Sequence, residues 1–343
     1  MPALLGPSLL ALIALGVILA GCELFTNGIE WVGCKLNLSC GAVGSVLAAV
    51  GTALPETLVP IVALVVVKGE HSHDIGIGAI LGAPFMLGTL AFLITGLAAI
   101  IYHKRGRRGL ELSIDPQTLG QDMGYFLGVY IVAIGLSFLP AYWMRVSGAA
   151  VLLAAYAVYV WRHFQRDCDT NDEDMNPLYM CRSLDVPRLR FVLLQVVVAL
   201  SAIFFGAELF VRNIEKLSTI LATRLLGWDA GTVALLLSLT IIPIATELPE
   251  KFNSVLWIGR GKDTLAMGNI TGAMVFQSCI PVTVGILLTP WHLEPRALAS
   301  AAAALLSVIV VFLAMQARHR LSPYVLLLGG PLYGGWLWYA LQN

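Results

Sequence analysis

Charge is what this chain of 343 residues has least of: 12% of its residues are charged and 58% are hydrophobic, against roughly 25% charged residues in an ordinary soluble domain. That shortage excludes a soluble enzyme. Neither sign dominates, since Lys+Arg and Asp+Glu are each 21, so no basic field exists to collect nucleic acid and no nucleic-acid partner is expected. The six cysteines are scattered without a C-x-x-C pair, which excludes a disulfide framework and a cysteine zinc site. Residues 1–20 contain no Lys or Arg. Although Leu19-Ala20-Gly21-Cys22 has the form of a lipoprotein cleavage box, a removable leader needs a basic first segment, and this segment has a copy far downstream.

What the chain does have is long apolar runs carrying 33 Gly and 16 Pro, the composition of membrane helices, which tolerate both residues. A span needs about 20 mostly apolar residues. Runs of that kind lie at roughly 4–27, 42–67, 75–101, 120–140, 143–164, 189–212, 230–258, 264–288, 295–316 and 322–341. The expected fold is therefore all-α: a polytopic membrane protein of ten helices whose partners are the lipid bilayer and small solutes. A polar stretch, 165–188, divides the runs into halves of five, 1–164 and 189–343. Alternate loops on one side hold fourteen of the 21 basic residues, among them Lys104, Arg105, Arg107, Arg108, Arg188 and Arg260, against six on the other. The positive-inside rule makes the first side cytoplasmic. The linker then lies in the cytoplasm and both termini outside, with a bacterial inner or plasma membrane the expected location.

The halves repeat each other. Gly21-Cys22-Glu23-Leu24-Phe25 recurs as Gly206-Ala207-Glu208-Leu209-Phe210 at an offset of 185; Gly51-Thr52-Ala53-Leu54-Pro55-Glu56 matches Ala245-Thr246-Glu247-Leu248-Pro249-Glu250 at 194; and Gly78 to Ala83 matches Gly268 to Ala273 at 190. Because each unit has five spans, the second enters the membrane from the opposite side, and inverted repeats are an architecture of secondary transporters.

Chemistry gathers at the second block. Glu56 and Glu250 sit mid-span at equivalent places, and an ionised carboxylate there costs about 2.5–3.5 kcal/mol or more unless a cavity or partner receives it. Pro55 and Pro249 donate no amide hydrogen, which frees the carbonyls of Gly51 and Ala245. Thr52 and Thr246, four residues before each Glu, share its helical face. Two carboxylates, two carbonyls and two hydroxyls form an oxygen cage suited to Ca²⁺, whereas a transition metal prefers imidazole or thiolate.

These blocks resemble the calcium/cation antiporter superfamily, which includes the sodium/calcium exchangers. The resemblance rests on G-T-x-L-P-E and A-T-x-L-P-E, each followed by G-x-x-x-G-A, and spans both halves. It implies a five-helix repeat in each half, a central ion site built on Glu56 and Glu250 with Thr52 and Thr246, Ca²⁺ transported against Na⁺ or H⁺, and no cofactor. The chain departs from the sodium/calcium members in having Ala53 and Glu247 where Ser follows Thr. It also lacks the G-S-N pattern of the third helix, having Gly82-Ala83-Pro84 and Gly272-Ala273-Met274 instead. Depleted sodium ligands and the extra carboxylate of Glu247 shift the expectation toward proton coupling or an altered stoichiometry. Asn269 and Gln277 are candidate ligands of the second copy, with interhelical hydrogen bonding as their alternative. Lys251 either pairs with these acids or snorkels to an interface.

Clustered carboxylates demand a cation or protons as compensation, so one class of ion excludes the other and the chain exchanges them. A cation channel lined by the same acids is the alternative. Three weaker features remain. Asp167, Asp169 and Asn171 are spaced as in a calcium loop but lack its Gly and its final Glu, leaving an acidic linker. Glu70 to Asp74 reads as a polar loop before a metal site, and Glu23 and Glu208 fall near span ends.

Overall fold

The computed structural model describes residues 2–35, 54–164, 177–181, 187–318 and 320–342. They are almost wholly helical: α1 (Pro2–Lys35), α2 (Leu54–Val67), α3 (Ser72–Lys104), α4 (Pro116–Phe138), α5 (Tyr142–Phe164), α6 (Leu189–Leu221), α7 (Ala230–Gly259), α8 (Asp263–Leu288), α9 (Pro295–Arg318), α10 (Pro323–Leu326) and α11 (Gly329–Gln342). Eight of these are long and apolar enough to cross a bilayer. The expected second span is described only from Leu54, as α2. The tenth is broken at Leu327 and Leu328 into α10 and α11.

Proline explains two local departures from ideal helix. Wide turns at Val62–Val67 and Leu87–Ala91 follow Pro60 and Pro84, whose missing amide hydrogens each remove a bond from the ladder. The wide turns ending α2 and extending α6 close through Lys68 N–H to Ala63 O, 3.2 Å, and Gly227 N–H to Ala222 O, 2.8 Å. Both closing residues have positive φ, 47° and 66°, a backbone state that Gly227 adopts without a Cβ penalty. Asp115 caps α4 by accepting from Gln117 N and Thr118 N, with Pro116 at the first helical position, where its lost donor costs nothing.

Burial separates central helices from outer ones. The most apolar window of α3 is 83% buried and that of α8 is 72%, whereas α5 reaches only 22%. Helices hydrophobic all round belong inside. The outer helices turn Leu5, Leu9, Val151, Val197 and Phe205 outward, as lipid-facing surfaces do. Phe138, Tyr142 and Trp143 are exposed together where α4 meets α5, the kind of aromatic cluster that sits at headgroup level.

α1 and α6 cross by reciprocal contacts. A Cβ built on Gly21 would lie 2.7 Å from Ile203 Cγ1 and 3.2 Å from Ala199 O; one built on Gly206 would lie 2.9 Å from Ile18 Cγ1 and 3.3 Å from Ala14 O. Each residue of the first set corresponds to its partner in the second at the offset of 185. The register is antiparallel, since Gly28 farther along α1 meets Val196 earlier on α6. α3 and α7 pack in parallel, Gly78 against Leu235 and Ser238, Gly82 against Leu239 and Pro243.

Loop contacts gather at two ends. At one, Arg108 forks onto Asp263 with Nη1 to Oδ1 2.6 Å and Nη2 to Oδ2 2.7 Å, Asp263 also accepts from Ser113 N, and Leu112 N donates to Leu321 O. Separately, Tyr179 of the linker donates to Glu23, 2.8 Å. At the other end His71 N donates to Glu215 and Arg145 to Pro290 O.

Candidate functional site

The second-block residues fall on α7 and α8. Thr246, Glu247 and Lys251 follow Pro243 on α7, with side chains at most 2% exposed, and Gln277 on α8 is 1% exposed. Glu247 and Lys251 are four residues apart, one helical turn, and face each other: Lys251 Nζ is 3.5 Å from Glu247 Oε2. Lys251 also donates to Asn269 Oδ1 on α8 at 2.9 Å. Gln277 Nε2 donates to the other oxygen of Glu247. A carboxylate, an ammonium and two amides thus join two helices in one buried network.

This outcome sharpens two expectations. The two oxygens of Glu247 are engaged, one by Lys251 and the other by Gln277. Lys251 does not reach for an interface; it turns inward and lies beside Glu247. The pairing follows from burial, since a lone carboxylate or ammonium in apolar surroundings is far costlier than a hydrogen-bonded pair.

Glu56 lies in the first turn of α2 and is 4% exposed. Its helix packs against α3, α6 and α8, and touches α7, so the first block meets the helices that carry the second. Thr246 donates to Ile242 O, 3.0 Å, which leaves its oxygen lone pairs as acceptors. Ala245 and Pro249 lie within α7, which runs unbroken past both, so the Ala245 carbonyl keeps its loss of an amide partner. Gly51 and Thr52 lie outside the described residues, as does the side chain of Glu250. In the first copy α3 carries no side-chain oxygen between Gly82 and Gly88, where Ala83, Phe85, Met86 and Leu87 are buried; the hydroxyl of buried Thr89, one residue on, donates to Phe85 O.

A further intramembrane acid is one that the sequence patterns do not single out. Asp122 on α4 is 1% exposed, accepts from Thr271 Oγ1 of α8 at 2.7 Å and from Tyr159 OH of α5 at 3.0 Å. Its signal is spacing: Asp122 falls in the buried stripe of Leu119, Met123, Phe126 and Tyr130, where an acid needs partners. We expect Asp122→Ala to remove the acceptor of both bonds and lower the melting temperature in detergent by about 1–4 °C, given about 1–3 kcal/mol for such a loss. Asp122→Asn, which keeps an acceptor, should lose less than half as much. Equal melting of Asp122→Ala and the parent would contradict the account.

The remaining candidates sit apart. Glu208 pairs with Arg212 at 2.8 Å on the surface, and Glu23 holds Tyr179. In the Glu70 to Asp74 segment His71 Nδ1 is 3.9 Å from Asp74; among the described residues no group of three His, Cys, Asp or Glu side chains is arranged to hold a metal ion. Partial burial pushes the Glu294 carboxyl, at the same end, above the ordinary range; the Asp74 charge adds to this and Arg296 opposes it. The 167–171 spacing lies outside the described residues.

Comparison with known proteins agrees with this architecture. A family model described as sodium/calcium exchanger protein matches residues 7–165 and 191–339. The chain is 25% identical over 300 residues to the inner membrane protein YrbG of Escherichia coli strain K12, covering 84% of this chain and 83% of that one. The crystal structure of the H⁺/Ca²⁺ exchanger CAX superposes with a TM-score of 0.72 at 17% identity, covering 96% of this chain and 80% of that one. A structure of the sodium-calcium exchanger NCX_Mj superposes at 0.56 and 23% identity, covering 96% of each. At these identities the two structures establish likeness of fold.

Proposed function

The chain belongs to the sodium/calcium exchanger protein family, and on that premise we propose that it is a secondary active antiporter exchanging Ca²⁺, or a related divalent cation, for Na⁺ or H⁺. As a member of a transporter family it is not an enzyme. The exchange proceeds by alternating access at a midplane site formed by Glu56 and Glu250. One observation carries the reading: Glu56 is a buried carboxylate on a helix packed against α8, the helix whose Asn269 and Gln277 engage the second block. An intramembrane carboxylate of this kind marks an ion or proton pathway.

Thr52 and the Gly51 carbonyl supply oxygens from the first block, Thr246 and the Ala245 carbonyl from the second. Gln277 Oε1 is buried and takes no hydrogen bond from the described residues, which leaves it available to a cation. Glu247 and Asn269 border the site through Lys251. The first five-helix repeat is 1–164 and the second, inverted, is 189–343, joined by the polar linker 165–188. The antiparallel, reciprocal packing of α1 and α6 at an offset of 185 supports this. The basic end holding Arg108 and the linker is cytoplasmic, which puts both termini outside.

Exchange follows from charge. A divalent cation and monovalent ions compete for the same carboxylates, and an empty, charged site is too costly to reorient, so each inward passage requires an outward one. The relatives CAX and NCX_Mj are named for exchange of Ca²⁺ with H⁺ and with sodium respectively. The stretch of α3 from Gly82 to Gly88, which offers no side-chain oxygen, favours H⁺ here. We expect ⁴⁵Ca²⁺ uptake into proteoliposomes to saturate and to be driven more strongly by an imposed H⁺ gradient than by a Na⁺ gradient. Uptake indifferent to any counter-ion would assign a channel instead.

A further inference from the structure

We infer that the α3–α4 and α7–α8 connections together form a binding surface for the phosphate of an anionic phospholipid, whose acyl chains lie along the outer faces of α3 and α7. The leaflet is the cytoplasmic one on the orientation proposed above, and the surface does not depend on which ions are exchanged. The two connections, 104–115 and 260–263, hold six basic residues against three acids. Side-chain contacts fasten them to each other. Arg108 forks onto Asp263 and also donates from Nη1 to Ile258 O at 3.0 Å. Asp115 N donates to Thr264 Oγ1, 2.9 Å, and a Cβ built on Gly259 would lie 2.6 Å from Tyr102 Cζ.

The charge left over is positive. Asp263 is occupied by Arg108, Glu111 by Arg320 at 2.9 Å, and Asp115 by the first turn of α4. Lys104, Arg105, Arg107, Arg260 and Lys262 are exposed and form no ion pair among the described residues. The surface next to them selects a lipid over a soluble anion. Leu97 and Ile101 on α3 are 42% and 47% exposed, and Leu256 on α7 is 51% exposed. All three lie within about two helical turns of the basic loops, so acyl chains against them bring their phosphates level with Lys104 and Arg260. Tyr102 and Trp257 are half-buried at the same depth, where aromatic residues meet headgroups. A soluble polyanion would meet the charges and leave the apolar faces bare. Each basic residue near such a surface favours anionic lipid by about fivefold, whereas the choline of phosphatidylcholine offsets its phosphate and gains little.

The test is thermal melting of the detergent-purified protein titrated with dioctanoyl phosphatidylglycerol and, separately, with dioctanoyl phosphatidylcholine. A ligand that binds the folded state raises the melting temperature, so phosphatidylglycerol should raise it by at least ~2 °C more than phosphatidylcholine. Raising salt from ~0.05 M to ~0.5 M should remove most of that difference. The variant Lys104→Gln/Arg105→Gln/Arg260→Gln/Lys262→Gln should lose the difference, whereas Lys216→Gln/Arg224→Gln, exposed at the opposite end, should keep it. Equal shifts by the two lipids in the parent overturn the inference, and so does a fourfold variant that keeps the full difference. A comparable shift from glycerol phosphate at the same concentration also overturns it, by assigning a soluble phosphate in place of a lipid. Should the fourfold variant fail to give a monodisperse protein, Lys104→Gln/Arg105→Gln and Arg260→Gln/Lys262→Gln are melted separately. Each should lose at least half of the difference, and retention by both overturns the inference. Melting is read without flux, so failure of this surface and failure of the exchange reading are separate results.

Discussion

Glu56→Gln should lower the initial rate of gradient-driven ⁴⁵Ca²⁺ uptake by at least ~100-fold, with the folded protein retained. Glutamine is nearly isosteric, and the side chain it replaces is already buried at 4% exposure, so packing changes little. The charge changes fully. A site that neutralised a divalent cation now leaves one positive charge uncompensated in a low-dielectric interior, and breaking such a pairing costs about 3–5 kcal/mol. About 2.7 kcal/mol already accounts for a 100-fold change in rate. Glu208→Gln serves as the control: its carboxylate faces Arg212 at a surface where ion pairs contribute about 0–1 kcal/mol, and the rate should stay within threefold. Retention of a third or more of the parental rate by Glu56→Gln would remove the midplane site from the mechanism.

Much of this arrangement is legible in the amino-acid sequence, for identifiable reasons. Spans of apolar residues, the basic asymmetry between alternate loops and the repeated blocks are one-dimensional signals, and the helices α3 to α9 fall close to where those signals place them. The pair of Glu247 and Lys251 is local too, four residues apart on one helix. Its direction is not legible, because whether a lysine snorkels or turns inward is decided by Asn269 on a different helix, 18 residues on. Asp122 is hidden for a related reason. Its partners Tyr159 and Thr271 lie on α5 and α8, and only their convergence marks it as buried. The break between α10 and α11 is masked by apolar residues on both sides, since hydropathy measures length in lipid and does not register an interrupted ladder.

The G-x-x-x-G-A block has a structural purpose that leads to a second large effect. Gly82→Leu should separate α3 from α7 and lower the melting temperature by at least about 4 °C, the upper end of what overpacking costs in a chain of this length, or prevent assembly. A Cβ at Gly82 would lie 2.8 Å from Leu239 O, 3.0 Å from Leu239 Cα and 2.6 Å from Pro243 Cγ. Two of those atoms are backbone, so no change of rotamer relieves the clash and one helix must move; overpacking of this kind costs about 1–3 kcal/mol or more. The sign of the effect can be tested with a single methyl group. On helix propensity alone Gly→Ala stabilises by about 1 kcal/mol, and Gly124, exposed on α4 with nothing within 4 Å of a built Cβ, should show that gain. Gly82→Ala should be destabilised instead. The displaced helix carries Thr246, Glu247 and Lys251 within three turns after Pro243, so Gly82→Leu protein that does assemble should also lose exchange. A Gly82→Ala variant that melts as high as Gly124→Ala would mean that α3 and α7 do not depend on this close approach, and the role assigned to the glycine pair would fall with it.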